Sequence, residues 1–271
     1  PDLLIATDPD ADRVGVMARA KDATYHFLTG NQIGSLLLES IARRNTNTKK
    51  NPYIAKTIVT TELQRLIAES YGIRTVETLT GFKYIAEQIA KDEVNYLFGG
   101  EESFGYLPIS WVRDKDSLSS ALALAELSED VDLVDALDQI YLKHSLFHEL
   151  LKNINLTQNP NLLKEVMAKL KDPADFIARI HLGREVQDIL DLRKGAADPK
   201  TVEARKLKEF LGEADVLQFW LKDFSRLTIR PSGTEPKVKI YLSLMASKKS
   251  TAATLEKDKV HLKEEAESIL D

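Results

Sequence analysis

The chain has 271 residues, room for about two domains, and its 43% apolar and 29% charged residues are ordinary for a globular protein. Its 37 basic and 42 acidic residues leave a net charge of −5, which argues against nucleic acid as the main partner. The absence of cysteine excludes disulfides, thiolate nucleophiles and cysteine-based zinc sites, and no apolar run reaches the roughly 18 residues that a membrane helix needs. With no signal-peptide pattern either, the expected setting is cytoplasmic, away from membranes.

The chain opens at Pro1 directly on an apolar strand, so a trimmed start with sequence upstream is expected. DLLIA and RVGVMA read as strands on either side of TDPDADR. From Gly30, Ile33, Leu36, Leu37 and Ile41 recur at helical spacing, and YIAKTIV follows as a strand. A helix carrying Leu63, Leu66 and Ile67 ends near Gly72, before the strand IRTVETL. A further helix over Phe82 to Lys91 leads to the strand NYLFGG, and another begins near Asp116 and Ser117. Such alternation predicts an α/β domain with a largely parallel sheet. Residues from about Asp132 to Ala214 read as helical, with RKGAAD as a loop. VLQFWL, SRLTIR and KVKIYLSL then read as strands, and LEKDKVHLKEEAESIL as a closing helix, which makes the second domain α+β.

Three polar loops lie between strands. In TDPDADR the carboxylates of Asp8, Asp10 and Asp12 would repel one another without a cation, and hard oxygen ligands suit Mg2+. An EF-hand is excluded, because Arg13 and Arg19 stand where its glycine and glutamate are needed. Without a cation the same residues make an acidic turn. In GGEESFGY, Glu101 and Ser103 are two apart and on an extended segment would face one way, suited to adjacent sugar hydroxyls; Glu102 would turn to a structural partner. In RPSGTEPK, Arg230 offers a planar fork for phosphate oxygens, Ser232 and Thr234 add hydroxyls, Gly233 permits an anion-binding nest, and Lys237 adds charge. Read blandly, these two loops are a glycine-rich turn and a hairpin turn. TGFK (Thr80 to Lys83) and VRDKD (Arg113 to Asp116) form a weaker pair, where a lysine could serve as an acid or base if neighbouring cations lowered its pKa. His26, His144, His148, His181 and His261 form no usable pattern, and Trp111 and Trp220 read as core.

Together and in this order, TDPDADR, TLTGFK, GEESFG, RDKD and RPSGTEPK resemble the motifs of the α-D-phosphohexomutases, nearest to the phosphoglucomutase and phosphomannomutase members, over essentially the whole chain. The resemblance implies a division into the end of the family's second domain with its metal loop (1–28), a mixed α/β sugar-binding third domain (29–155), and a helical connection with a TBP-like α+β fourth domain (156–271). In the family four domains surround one cleft. Carried over by motif, Asp8, Asp10 and Asp12 would ligate Mg2+. Glu101 and Ser103, assisted by Thr80 and Gly81, would hold the sugar hydroxyls of a phosphorylated hexose. Arg230, Ser232, Gly233 and Thr234, with Lys237 beside them, would clamp the non-transferring phosphate. Lys115 would be the candidate acid/base group, and Arg13 would neutralise charge near the metal.

The implied reaction interconverts hexose 1-phosphate and hexose 6-phosphate, glucose before mannose, through a phosphoserine and a hexose 1,6-bisphosphate. The family's nucleophile segment, of the type Thr-Ala-Ser-His-Asn-Pro, does not occur in the chain. The chain alone is therefore expected to show no turnover, to bind Mg2+ weakly, and to have the missing N-terminal domains as its partner. A haloacid-dehalogenase-like phosphatase fits less well, since Asp10 follows Thr7, Asp8 and Pro9 where that class requires an apolar strand. The remaining alternative is a non-catalytic sugar-phosphate-binding protein.

Overall fold

A computed structural model of the chain describes residues 1–44, 49–156, 170, 172–173, 176–177, 182–231 and 237–270. They fold as two compact units, one of Pro1–Leu146 with Lys249–Leu255, the other of Phe147–Lys248 with Glu256–Asp271.

The first unit opens with an antiparallel sheet of β1 (Leu3–Thr7), β2 (Val14–Arg19) and β3 (Tyr25–Leu28). Thr7 pairs with Val14, so residues 8–13 form the turn between the first two strands. Helix α1 (Gly30–Arg44) starts where it does because Thr29 and Gln32 cap it reciprocally: the Gln32 N–H donates to Thr29 Oγ1, and the Thr29 N–H to Gln32 Oε1. Next come β4 (Tyr53–Thr57), α2 (Glu62–Ser70), β5 (Arg74–Thr78), α3 (Phe82–Lys91), β6 (Tyr96–Gly100) and β7 (Tyr106–Leu107). The strands form one sheet in the order β5-β4-β6-β7, parallel except for β7. Tyr53, Ala55 and Tyr96 pack under Phe82, Ile85 and Ile89 of α3. Phe98 stacks on Tyr106, whose hydroxyl donates to the Gly30 carbonyl at the start of α1 on the opposite face. The chain passes from β4 to β5 on one side and from β6 to β7 on the other, the switch in strand order at whose carboxyl ends such sheets place their ligands. Helices α4 (Ser117–Asp130) and α5 (Leu133–Lys143) complete the unit.

Where α1 and α5 meet, Glu39 accepts hydrogen bonds from Lys143 and Tyr71 and lies beside His144 Nε2. Burial works against the Glu39 charge, but the His144, Lys143 and Tyr71 contacts outweigh it and bring its pKa from 4.5 to about 2. A lowered carboxyl pKa adds stability that is complete above about pH 4.5 and lost as pH falls toward 2. Glu39→Gln should therefore lower the melting temperature at neutral pH, and the deficit should shrink steadily in melts taken between those two values.

The second unit is built on a five-stranded antiparallel sheet, ordered β8-β12-β11-β10-β9. Its strands are β8 (Phe147–Asn155), β9 (Val186–Asp191), β10 (Leu217–Leu221), β11 (Arg226–Pro231) and β12 (Lys237–Met245). Helix α6 (Val202–Leu211) precedes β10, and α7 (Leu255–Leu270) contributes Leu262 and Ala266 to the core from its part within this unit. Arg184 fixes α7 by a bidentate pair with Glu265. Beneath Arg226, the Trp220 indole N–H donates to Gln218, whose amide donates to Thr228, so this buried polar row is internally satisfied.

The helical reading of residues 132–214 holds for α5 and α6 but misses β8 and β9. FHELLKNIN has leucines dense enough to imitate a helix, yet it alternates at period two and pairs with β12 along its whole length. Residues 147–155 thus form an edge strand of the second sheet. Trp111, read as core, is 75% exposed, whereas Trp220 is buried. Among the described residues no helix is long and apolar enough to cross a membrane.

Candidate functional site

The turn after β1 is shaped mainly by its first aspartate. Asp8 Oδ1 accepts the N–H groups of Asp12 and Arg13 at 3.1 and 3.0 Å, and the Asp8 carbonyl accepts that of Ala11 at 3.0 Å. The Arg13 N–H above all, with burial working the other way, holds the Asp8 carboxyl below its usual range. The chain turns through Ala11, whose φ of 55° is left-handed. Carboxylate oxygens of Asp8, Asp10 and Asp12 come within 4.8 Å of one another. Asp12 Oδ1 is buried and accepts no hydrogen bond, although Arg13 Nε stands 3.7 Å away. Three hard oxygen donors, one without a hydrogen bond, fit Mg2+.

The glutamate loop follows β6. Glu101 Oε1 accepts the Gly81 N–H at 3.0 Å, which joins the loops after β5 and β6. Burial raises the Glu101 carboxyl above its usual range, while that N–H, Lys115 and Arg13 pull it back. Glu102 turns to Thr57 and Thr60 after β4, at 3.3 and 3.4 Å, so it has the structural partners expected of it. The segment is not extended, however. The Glu101 N–H donates to the Gly105 carbonyl, Phe104 is left-handed at φ 71°, and Ser103 lies within the turn that Glu101 opens. Thr80 lies in the loop beside Gly81, and Ser103 is half-buried.

Contacts from separate segments lock this loop to the acidic turn. The Phe104 carbonyl accepts the Val14 N–H at 3.1 Å, and the Phe104 ring packs on Phe27. Lys115 Nζ stands 2.9 Å from both Asp12 Oδ2 and Asp114 Oδ1 and over the Phe82 ring, with its stem against Gly105. Burial disfavours the Lys115 charge, but Asp114 and Asp12 outweigh it and raise the pKa. The acid/base expectation for this lysine required neighbouring cations to lower its pKa; the neighbours here are carboxylates, which favour the charged form.

In the second unit, Arg230 and Lys237 bracket the tip of the β11–β12 hairpin, where Pro231 pairs with Val238. Ser232, Gly233 and Thr234 lie outside the described residues, as does His181. Thr57, Thr60, Phe104 and Ser117 escaped the sequence reading because each acts on a backbone or a neighbouring carboxylate. The Thr60-Thr61 pair, whose second member caps α2, was the one visible signal.

Residues 29–144 match the family model described as Phosphoglucomutase/phosphomannomutase, alpha/beta/alpha domain III. Over an alignment 255 residues long that covers 90% of this chain, it is 32% identical to a phosphoglucomutase of Staphylococcus epidermidis, of which it covers 45%. It thus spans about half the length of the curated relatives it matches. Among solved structures it resembles parafusin, a phosphoglucomutase of Paramecium, with TM-score 0.63, 20% identity, and coverage of 100% of this chain and 46% of that one. An N-acetylphosphoglucosamine mutase of Aspergillus fumigatus, solved with GlcNAc-6P and magnesium, gives TM-score 0.51 at 12% identity, covering 98% of this chain and 52% of that one. Both structures share the fold.

Proposed function

We propose that the chain is part of an enzyme of the phosphoglucomutase/phosphomannomutase family and carries the metal-, sugar- and phosphate-binding residues that interconvert hexose 1-phosphates and 6-phosphates through a phosphoserine and a bisphosphate. The observation that carries this reading is the interlocking of four distant segments in the first unit by three links. Val14 is bonded to Phe104, Gly81 to Glu101, and Lys115 is paired with Asp12. Structural turns that merely cap strands have no need of such cross-links.

In this reading Asp8, Asp10 and Asp12 hold Mg2+, which supplies charge neutralisation at a transferring phosphoryl group. Glu101 accepts from hydroxyls of the sugar, with Ser103, Thr80 and Gly81 around it. Its position is fixed by the Gly81 N–H, which leaves Oε2 for the ligand. Lys115 serves as a fixed cation toward phosphate, and Arg13, largely exposed, adds a second. Arg230, Ser232, Gly233, Thr234 and Lys237 take the phosphate that is not transferred. No residue of this chain is assigned as the nucleophilic serine, since no Ser-His-Asn-Pro segment occurs in it. Glucose phosphate is the proposed substrate, in keeping with the GEESFG form of the sugar loop.

Calorimetric titration of the chain with glucose 1-phosphate in Mg2+ tests this. Glu101→Gln and Arg230→Ala should each weaken binding by about tenfold or more, the worth of a charged hydrogen bond, and free glucose should not bind. Equal affinity in both variants would sink the reading. Hydrolysis of an aryl phosphate, lost on Asp10→Asn, would favour a phosphatase instead.

A further inference from the structure

The acidic turn depends on a residue far outside it. Ala11 sits in left-handed backbone at φ 55°, a conformation that is strained for a non-glycine residue and persists only where its surroundings impose it. Asp8 closes the turn from within, and Ser117 holds it from outside. The Ala11 carbonyl accepts both the Ser117 N–H, at 3.1 Å, and the Ser117 hydroxyl, at 2.6 Å. Ser117 is 1% exposed, so water cannot substitute for either bond. Nor is the hydroxyl needed to start α4. Asp116 does that, accepting the N–H groups of Leu118 and Ser119.

We propose that Ser117 is a positioning residue for the divalent cation: by holding the Ala11 carbonyl it keeps Asp10 and Asp12 turned toward Asp8 before the ion arrives. This rests on the metal reading of that turn given above. Asp8 closes the turn through the N–H groups of Asp12 and Arg13, but nothing within residues 8–13 fixes the Ala11 carbonyl. Without the hydroxyl, one bond from a helix-terminal N–H remains. Ala11 can then relax toward the right-handed region, which re-aims the aspartates on either side of it.

The test uses the 271-residue chain, with Mn2+ binding read by electron paramagnetic resonance, Mg2+ competition, and a melting curve for every variant. Ser117→Ala should raise the Mn2+ dissociation constant about tenfold, the lower end of the effect of losing an outer-shell partner. Ser117→Thr, which keeps the hydroxyl, should restore affinity. Ser120→Ala is the control. Ser120 lies in the same helical turn, and its hydroxyl bonds to the Asp116 carbonyl without touching the loop. It should alter stability without altering affinity. Unchanged affinity in Ser117→Ala, or an equal loss in Ser120→Ala, would overturn the proposal. If the parent chain binds Mn2+ no better than Asp10→Asn does, the metal reading itself fails and this inference falls with it.

Discussion

Lys56→Met should destabilise the first unit by about 3–5 kcal/mol, the usual consequence of removing one partner from a buried ionic cluster. Lys56 is 0% exposed, and its ammonium donates to Glu62 Oε1 at 2.9 Å, Glu77 Oε1 at 2.7 Å and the Thr60 carbonyl at 3.1 Å. All three of its protons are therefore used. Methionine keeps the volume and removes the charge, leaving two carboxylates that share a site, with Arg65 paired to Glu62. The loss should appear as faster amide exchange throughout β4 and β6. Lys56→Met/Glu62→Gln/Glu77→Gln should recover most of it, because the penalty lies in stranded charge more than in lost attraction. A single variant within about 1 kcal/mol of the parent would show that the cluster ionises differently from this arrangement.

Gly30→Ala should be the most damaging small substitution at the site. A Cβ there would lie 1.9 Å from the Glu102 carbonyl oxygen, 2.7 Å from its carbon and 3.0 Å from the Phe104 nitrogen. These are backbone atoms, so no side chain can swing aside. Either α1 retreats or the 101–105 turn moves, and the Phe104–Val14 bond that ties it to the acidic turn goes with it. Overpacking of this kind costs about 1–3 kcal/mol and occasionally more. The larger consequence is geometric. Displacing Glu101 by about an ångström should weaken glucose 1-phosphate binding well beyond tenfold, which calorimetry would detect. Binding equal to the parent's would mean that α1 yields and the turn stays.

Much of the first unit was legible because its elements announce themselves locally. Phe82 to Lys91 shows an amphipathic period, Asp116 and Thr61 are capping residues, and β4 and β6 are short apolar runs between glycine- and threonine-rich loops. The second unit was less so. β8 is an edge strand whose leucines fit either period, and only its pairing with β12 decides between them. At the site, charged side chains could be found by type, but their partners could not. What Lys115 can do depends on its neighbours, and Asp12, 2.9 Å from it, stands more than a hundred residues earlier in the chain. Ser117 and Thr57 act on a carbonyl and on a carboxylate, and sequence alone does not reveal which one.

Gly105 has a consequence for how this site can vary between relatives. A Cβ at Gly105 would fall 2.2 Å from Lys115 Cδ and 2.8 Å from its Cγ, and that stem is tethered by two ion pairs at its tip. The two positions therefore behave as a single heritable unit. Any side chain at 105 is tolerated only with a shorter or redirected residue at 115, and each change alone is harmful while the pair is not. Drift at this corner should proceed by compensated double steps, with Asp12 registering each of them as a change in its counter-ion.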